Sequence, residues 1–332
     1  MSISYHLRAT IVPYWKLWIT IGGMILILFY IQQFNLEELG RNIIQSWWIL
    51  LIMLPVSGMA YLSATIAWKY TLNDSRVPLS SLFVVRHIGE SLALINPTNI
   101  IAGDLSKVLV LKKYNVDQRQ ALTSVIISRV LIIISGILLS CLSFVLWIIL
   151  FLPYENLFLL TLWPIIGIFM VYAMWRIVTN RKLFLYGLTK YLVYPFAENS
   201  RIKKMLIRLK IVNAMIVLQS HQQQKRMMKS WVFSIMHWLF GATEFYILLL
   251  LLGVDIGFTS SLILEMGVTV IKNAGAFVPG QLGIEEIGNK VMLSVIGITS
   301  PLLWIVVSAF KRVRQLAWLL VGGLMYFIST FK

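Results

Sequence analysis

Nine ionisable side chains stand where an apolar helix ordinarily carries none. Glu90, Asp104, Lys107, Arg129, Glu265, Lys272, Glu286, Lys290 and Arg312 all fall within or beside long apolar stretches. At the centre of a bilayer each such group costs about 2.5–3.5 kcal/mol on insertion scales. Together they exceed the ~5–15 kcal/mol net stability of a folded protein, so they must pair with one another or line a hydrated cavity. Both arrangements are physically open. Buried ion pairs that fix helix packing are common outside functional sites. A polar cavity is favoured for the set as a whole, because carboxylate and cation recur together at matching depth. The chemistry available there is anion recognition. Arginine offers a planar fork for phosphate, and the N-terminal ends of interrupted helices add positive dipole. Arg129, Arg312, Lys107 and Lys290 suit a phosphate head group. The nearby acids would keep the site from trapping it, or would receive a cationic group. A proton relay through Glu265 or Glu286 has no independent signal.

The spacing of these residues reads as an internal repeat. Asp104 follows Pro97 by seven residues, and Glu286 follows Pro279 by seven. Lys107 follows Pro97 by ten and Lys290 follows Pro279 by eleven; Arg129 and Arg312 follow by 32 and 33. Seven residues before each proline stands another ionisable group, Glu90 and Lys272. Glu265 and Lys272, seven apart, share one helical face, as do Arg86 and Glu90, four apart.

The elements that must position these groups are membrane helices. Of 332 residues, 59% are hydrophobic and 13% charged, about half the usual ~25% charged content of a soluble domain. A chain this apolar is excluded as a soluble globular protein. Clear spans are expected at 15–31, 47–67, 121–149, 157–177, 231–252 and 302–327. Two further stretches, 81–112 and 258–298, are interrupted, the first at Asn96-Pro97-Thr98-Asn99 with Gly103 beyond, the second at Pro279, Gly280 and Gly283. Irregular backbone at membrane depth survives only where protein or a wet cavity satisfies it. The expected fold is therefore an all-α polytopic membrane protein with six full spans and two re-entrant helical hairpins, about eight spans to a hydropathy count. A first half, 15–177, carries hairpin 81–112, and a second half, 231–332, carries hairpin 258–298. The two copies have opposite orientation, the inverted-repeat plan of many transporters.

Net charge is +16, and twelve of the 29 bases lie between Arg176 and Lys229 with one acid, Glu198. The basic segment 178–230 must then be cytoplasmic, which puts both termini there too. Within it Ile202, Met205, Leu206, Leu209, Val212 and Ile216 share a face opposite most of Lys203, Lys204, Arg208 and Lys210, as in a helix lying on the anionic leaflet. Topology and anchoring account for it, with lipid recruitment or partner docking as the alternative. Nucleic acid is disfavoured, since no binding motif accompanies the bases. The single Cys141 excludes an internal disulfide, and the four histidines show no metal-ligand spacing. No phosphate-cradling glycine loop is present, so no metal and no cofactor is expected.

The segment Val278-Pro279-Gly280-Gln281-Leu282-Gly283-Ile284-Glu285-Glu286 resembles the Pro-Gly-Gly-Leu-Gly-x-x-Glu signature of the lysylphosphatidylglycerol synthase transmembrane region, also called the flippase-like domain family. Leu94-Ile95-Asn96-Pro97, then Gly103-Asp104-Leu105-Ser106-Lys107 and Ser128-Arg129, are similar to that family's first motif, and Lys311-Arg312 to its final arginine. Length and the long basic middle loop fit as well. Three departures stand out: Gln281 replaces the second glycine, Asp104 the usual glutamate and Lys107 the usual arginine. The resemblance implies an integral inner-membrane protein that moves, or helps move, phospholipid or isoprenoid-linked head groups between leaflets. Its larger relatives add a soluble aminoacyl-transferring domain. None is expected here, hence no lysyl transfer and no enzyme. Alternatives are a non-transporting accessory subunit of an envelope lipid or polysaccharide pathway, with a partner protein from it, and a membrane-embedded lipid transferase. The transferase lacks a D-x-D motif, a metal constellation and a nucleotide loop.

Overall fold

The computed structural model describes residues 44–72, 77–95, 100–112, 114–151, 223–275, 278, 281–300 and 302–330. Every regular element among them is helical: α1 Ile49–Thr71, α2 Leu79–Ile95, α3 Ile100–Lys112, α4 Gln118–Phe151, α5 Gln224–Leu251, α6 Phe258–Ala274, α7 Ile284–Val295 and α8 Leu303–Thr330. The expected all-α class is the one observed. Helices α1, α4 and α5 are long and apolar enough to cross a membrane and coincide with the spans expected at 47–67, 121–149 and 231–252. The span expected at 302–327 corresponds to α8, whose first half carries Lys311, Arg312 and Arg314. The spans expected at 15–31 and 157–177 lie outside the described residues, as do residues 178–222 of the basic segment.

Each interrupted stretch forms two short helices. Residues 81–112 give α2 and α3, of 17 and 13 residues, and 258–298 give α6 and α7, of 17 and 12 residues. At 1.5 Å per residue these run ~18–26 Å, less than the ~30 Å hydrocarbon core. The second break, between Ala274 and Ile284, falls where proline and glycine were expected to place it; residues 96–99, where the first was expected, lie outside the described residues. Pro97, Pro279 and Gly280 themselves lie outside the described residues. Gly103 is within the first turn of α3, and Gly283 is the N-cap of α7, with φ of 84°. That left-handed backbone suits glycine alone among common residues.

The chain forms two compact units. In the first, which holds the start of α1, most of α2, the start of α3 and residues 237–332, Ile49, Met53, Phe245, Leu248, Leu249, Leu264, Val268, Leu293 and Phe310 make a dry apolar cluster. Helices α6 and α7 approach closely because two glycines remove side-chain bulk. A Cβ at Gly267 would collide with Met292, and one at Gly275 would lie 2.7 Å from Ile284.

The second unit holds the rest of α1, the end of α3, α4 and the start of α5. Hydroxyl and indole groups join its helices. Trp68 Nε1 donates to Ser124 Oγ (3.2 Å), Thr71 Oγ1 to the Ser124 carbonyl (3.0 Å) and Ser230 Oγ to the Ala67 carbonyl (2.8 Å). In an apolar medium such groups have no water to fall back on, so they bond across helices. Asp117 starts α4 by accepting the backbone N–H groups of Arg119 and Gln120, the N-cap role of a short acid.

Candidate functional site

Twelve charged side chains of the first unit join in seven ion pairs. Six are cations (Arg86, Lys107, Lys272, Lys311, Arg312, Arg314) and six are acids (Glu90, Asp104, Glu244, Glu265, Glu285, Glu286). Six of the protein's 13 acids are thus spent here, but only six of its 29 bases. The set is electroneutral, as low dielectric requires of buried charge.

Around the second hairpin the pairs run between helices. Lys272 on α6 meets Glu285 on α7 at 3.2 Å, Lys311 on α8 meets Glu265 on α6 at 3.0 Å, and Arg314 on α8 meets Glu244 on α5 at 2.9 Å. Lys311 Nζ also sits 3.8 Å from the centre of the Phe245 ring, a cation–π contact strengthened by desolvation. Space for Glu265 comes from Gly241 of α5, where a Cβ would lie 3.3 Å from Oε1.

Arg312 is the most engaged group. Its Nε donates to Glu286 Oε1 (2.7 Å), one terminal nitrogen to Glu286 Oε2 (3.0 Å) and the Gln281 carbonyl (2.9 Å), and the other to Gln315 Oε1 (2.9 Å) while lying 3.5 Å from Glu285 Oε2. Four of the guanidinium's five N–H donors thus make hydrogen bonds, and Glu285 adds an ion pair. Glu286 in turn accepts the Gly283 backbone N–H (2.8 Å), the carboxylate half of a capping box. Gln315 Nε2 donates to Glu285 Oε2 (2.8 Å). One arginine therefore fastens α8 to the turn before α7 and to the first turn of α7. Gln281, at the second glycine position of the signature, keeps a left-handed φ of 51°. Its side chain offsets the strain by donating from Nε2 to the Lys272 carbonyl at the end of α6 (3.2 Å).

Around the first hairpin the pairs close within single helices. Arg86 meets Glu90 at 2.6 Å on α2, and Lys107 meets Asp104 at 3.1 Å on α3. Lys107 lies within electrostatic reach of Glu90 and Arg86. Behind them Tyr61, Phe83, His87 and Trp318 pack edge and tilted, with Tyr61 and Trp318 each about 5 Å from the imidazole. Trp318 Nε1 donates to Ser57 Oγ (2.8 Å), and His237 Nδ1 donates to the Ala60 carbonyl (2.9 Å).

Of the nine residues singled out by sequence, the structure places seven in this network: Glu90, Asp104, Lys107, Glu265, Lys272, Glu286 and Arg312. Glu265 and Lys272 do not pair with each other; each turns to a different helix. Lys290 is exposed on α7, 5.7 Å from the centre of the Trp304 ring, and takes no part in the seven pairs. The position three after Glu286, which matches Lys107 after Asp104, is Asn289, buried and donating to Ser308 Oγ (2.9 Å). Arg129 is half-buried on α4 in the other unit. Glu244 and Arg314 were missed because their helices read as plain spans, although an acid amid the apolar run of α5 was itself a signal. Among the described residues no group of three His, Cys, Asp or Glu side chains has the arrangement of a metal site.

The described residues form helices alone, three of them long and apolar enough to cross a membrane, as in an integral membrane protein. The chain belongs to the family described as lysylphosphatidylglycerol synthase TM region, which it matches over residues 15–322. The family makes it a membrane, lipid-related protein. No curated protein and no solved structure matches it.

Proposed function

We propose that the protein carries phosphate-bearing lipid head groups, of phospholipids or isoprenoid-linked lipids, across the inner membrane, with both termini cytoplasmic. One observation carries the reading: the six-against-six charge network on the interrupted helices of a membrane protein from a lipid-related family. A transporter must let a polar head group pass an apolar barrier, and pairs that can exchange partners, such as those within α2 and α3, lower that barrier. Packing alone would be served as well or better by apolar residues. The network needs no cofactor for this task, since it breaks no covalent bond. The basic segment 178–230 holds the protein to the anionic cytoplasmic leaflet.

The test is reconstitution of the purified chain into vesicles holding a trace of head-group-labelled lipid in both leaflets. A membrane-impermeant quencher then reads how fast inner-leaflet label becomes accessible. Exchange well above protein-free vesicles is expected, and Lys107→Met should slow it. No acceleration with any phosphate-bearing lipid would overturn the reading and favour an accessory role.

A further inference from the structure

The four charges of the first hairpin differ in openness. Side-chain exposure is 32% for Glu90 and 21% for Asp104, but 9% for both Arg86 and Lys107. The carboxylates are the accessible ends of pairs whose cations are sheltered. Each pair closes within one helix, so opening it separates no two helices through that pair. One turn before Glu90 stands His87, buried against Tyr61, Phe83 and Trp318. Its Nδ1 donates to the Phe83 carbonyl (3.1 Å), which leaves Nε2 as the acceptor of the neutral ring. That buried Nε2 has no hydrogen-bond partner among the described residues. A buried acceptor left without a donor is costly and marks a place that a donor would fill.

Resting on the reading that this chain handles lipid head groups, we propose that Arg86, Glu90, Asp104 and Lys107, with His87 Nε2, form the head-group subsite, and that it takes an electroneutral head group bearing both a phosphate and an ammonium. The argument is one of charge. Two cations and two carboxylates sum to zero. A phosphate entering between Arg86 and Lys107 displaces Glu90 and Asp104 from their partners. A purely anionic head group would leave those two carboxylates beside the phosphate in low dielectric, which is strongly unfavourable. A head group that also brings an ammonium gives the displaced carboxylates a new cation, and every charge stays paired. An ammonium has three N–H donors, enough for Glu90, Asp104 and the imidazole acceptor together. The second interrupted stretch is a poorer place for such exchange, because each of its pairs ties one helix to another and Arg312 already makes four hydrogen bonds.

The full chain, purified in detergent, is titrated with phosphatidylethanolamine and with phosphatidylglycerol of identical acyl chains, and thermal stabilisation reads binding. Half-saturation at about tenfold lower concentration is expected for the ethanolamine lipid, the effect of one added charge-assisted hydrogen-bond set. Glu90→Gln should bring the ratio of the two lipids toward one. Should that variant fail to elute as a single folded species, Asp104→Asn is measured in its place. Soluble glycerophosphoethanolamine, an electroneutral phosphodiester like the lipid head group, is run as competitor. Competition at the same concentration as the lipid supports the head-group chemistry and assigns no affinity to the acyl chains. Equal or tighter binding of phosphatidylglycerol overturns the proposal, as does an unchanged ratio in the variant. Failure of the transport reading looks different: no leaflet exchange of either lipid, with the ethanolamine preference in binding intact.

Discussion

The two interrupted stretches use similar residues for opposite mechanical ends. Around α6 and α7, ion pairs run between helices, so α5, α6, α7 and α8 are laced together by Glu244–Arg314, Glu265–Lys311, Lys272–Glu285 and Arg312 with Glu285 and Glu286. Around α2 and α3, Arg86–Glu90 and Lys107–Asp104 each stay on one helix. A pair between helices holds a fold; a pair within a helix holds a charge in place until something better arrives. One stretch thus joins its neighbours through charge, and the other keeps its ion pairs within single helices.

The comparison breaks most readily at Arg312. Arg312→Met removes five donors and strands Glu286, so a loss of about 3–5 kcal/mol is expected, the usual cost of breaking a buried pair from one side. Thermal unfolding in detergent followed by size-exclusion yield measures it. A loss below 1 kcal/mol would mean that the second hairpin is not held by its charges. The Glu244–Arg314 pair sharpens the point next. Arg314→Met alone should cost about 3 kcal/mol, while Glu244→Met with Arg314→Met should recover most of that, because no charge is left uncompensated. A double-mutant cycle on melting temperature reads the coupling. On α3, Asp104→Asn takes the partner from the sheltered Lys107 but leaves Glu90 within its reach, so a smaller loss of about 2 kcal/mol is expected. The same vesicles should nonetheless show slower head-group exchange. The smallest effect is expected at Gln281. Gln281→Gly relieves a left-handed φ worth about 1 kcal/mol and loses one hydrogen bond of similar value, so stability should shift by less than about 0.5 kcal/mol.

The helical class, the break before Ile284 and seven of the twelve charges in the network were legible from the chain alone, because charge inside an apolar run is expensive and proline or glycine interrupts helices. The partners were not legible. Spacing of seven placed Glu265 and Lys272 on one face, yet Glu265 meets Lys311, 46 residues away, and Lys272 meets Glu285. Helical periodicity reports which residues share a face but not which helix that face meets. The spacing of Lys290 also drifts by one residue against that of Lys107. On a helix one residue turns a side chain by about 100°, and Lys290 stands exposed while Asn289 is buried. The replacement of glycine by Gln281 stood out in the sequence. Its compensation, a side-chain bond to the end of α6, needed three dimensions.

The placement of three cations on α8 also orders events in time. A ribosome delivers Glu244, Glu265, Glu285 and Glu286 before Lys311, Arg312 and Arg314 exist, and of the cations paired with those four acids only Lys272 is made earlier. Until the last helix emerges, the nascent second half carries surplus negative charge that an apolar phase rejects. Arrival of α8 should therefore relieve the charge left on α5 to α7. A translation product halted before residue 311 would be a natural substrate for quality-control proteolysis, whatever the hydropathy of the helices already made.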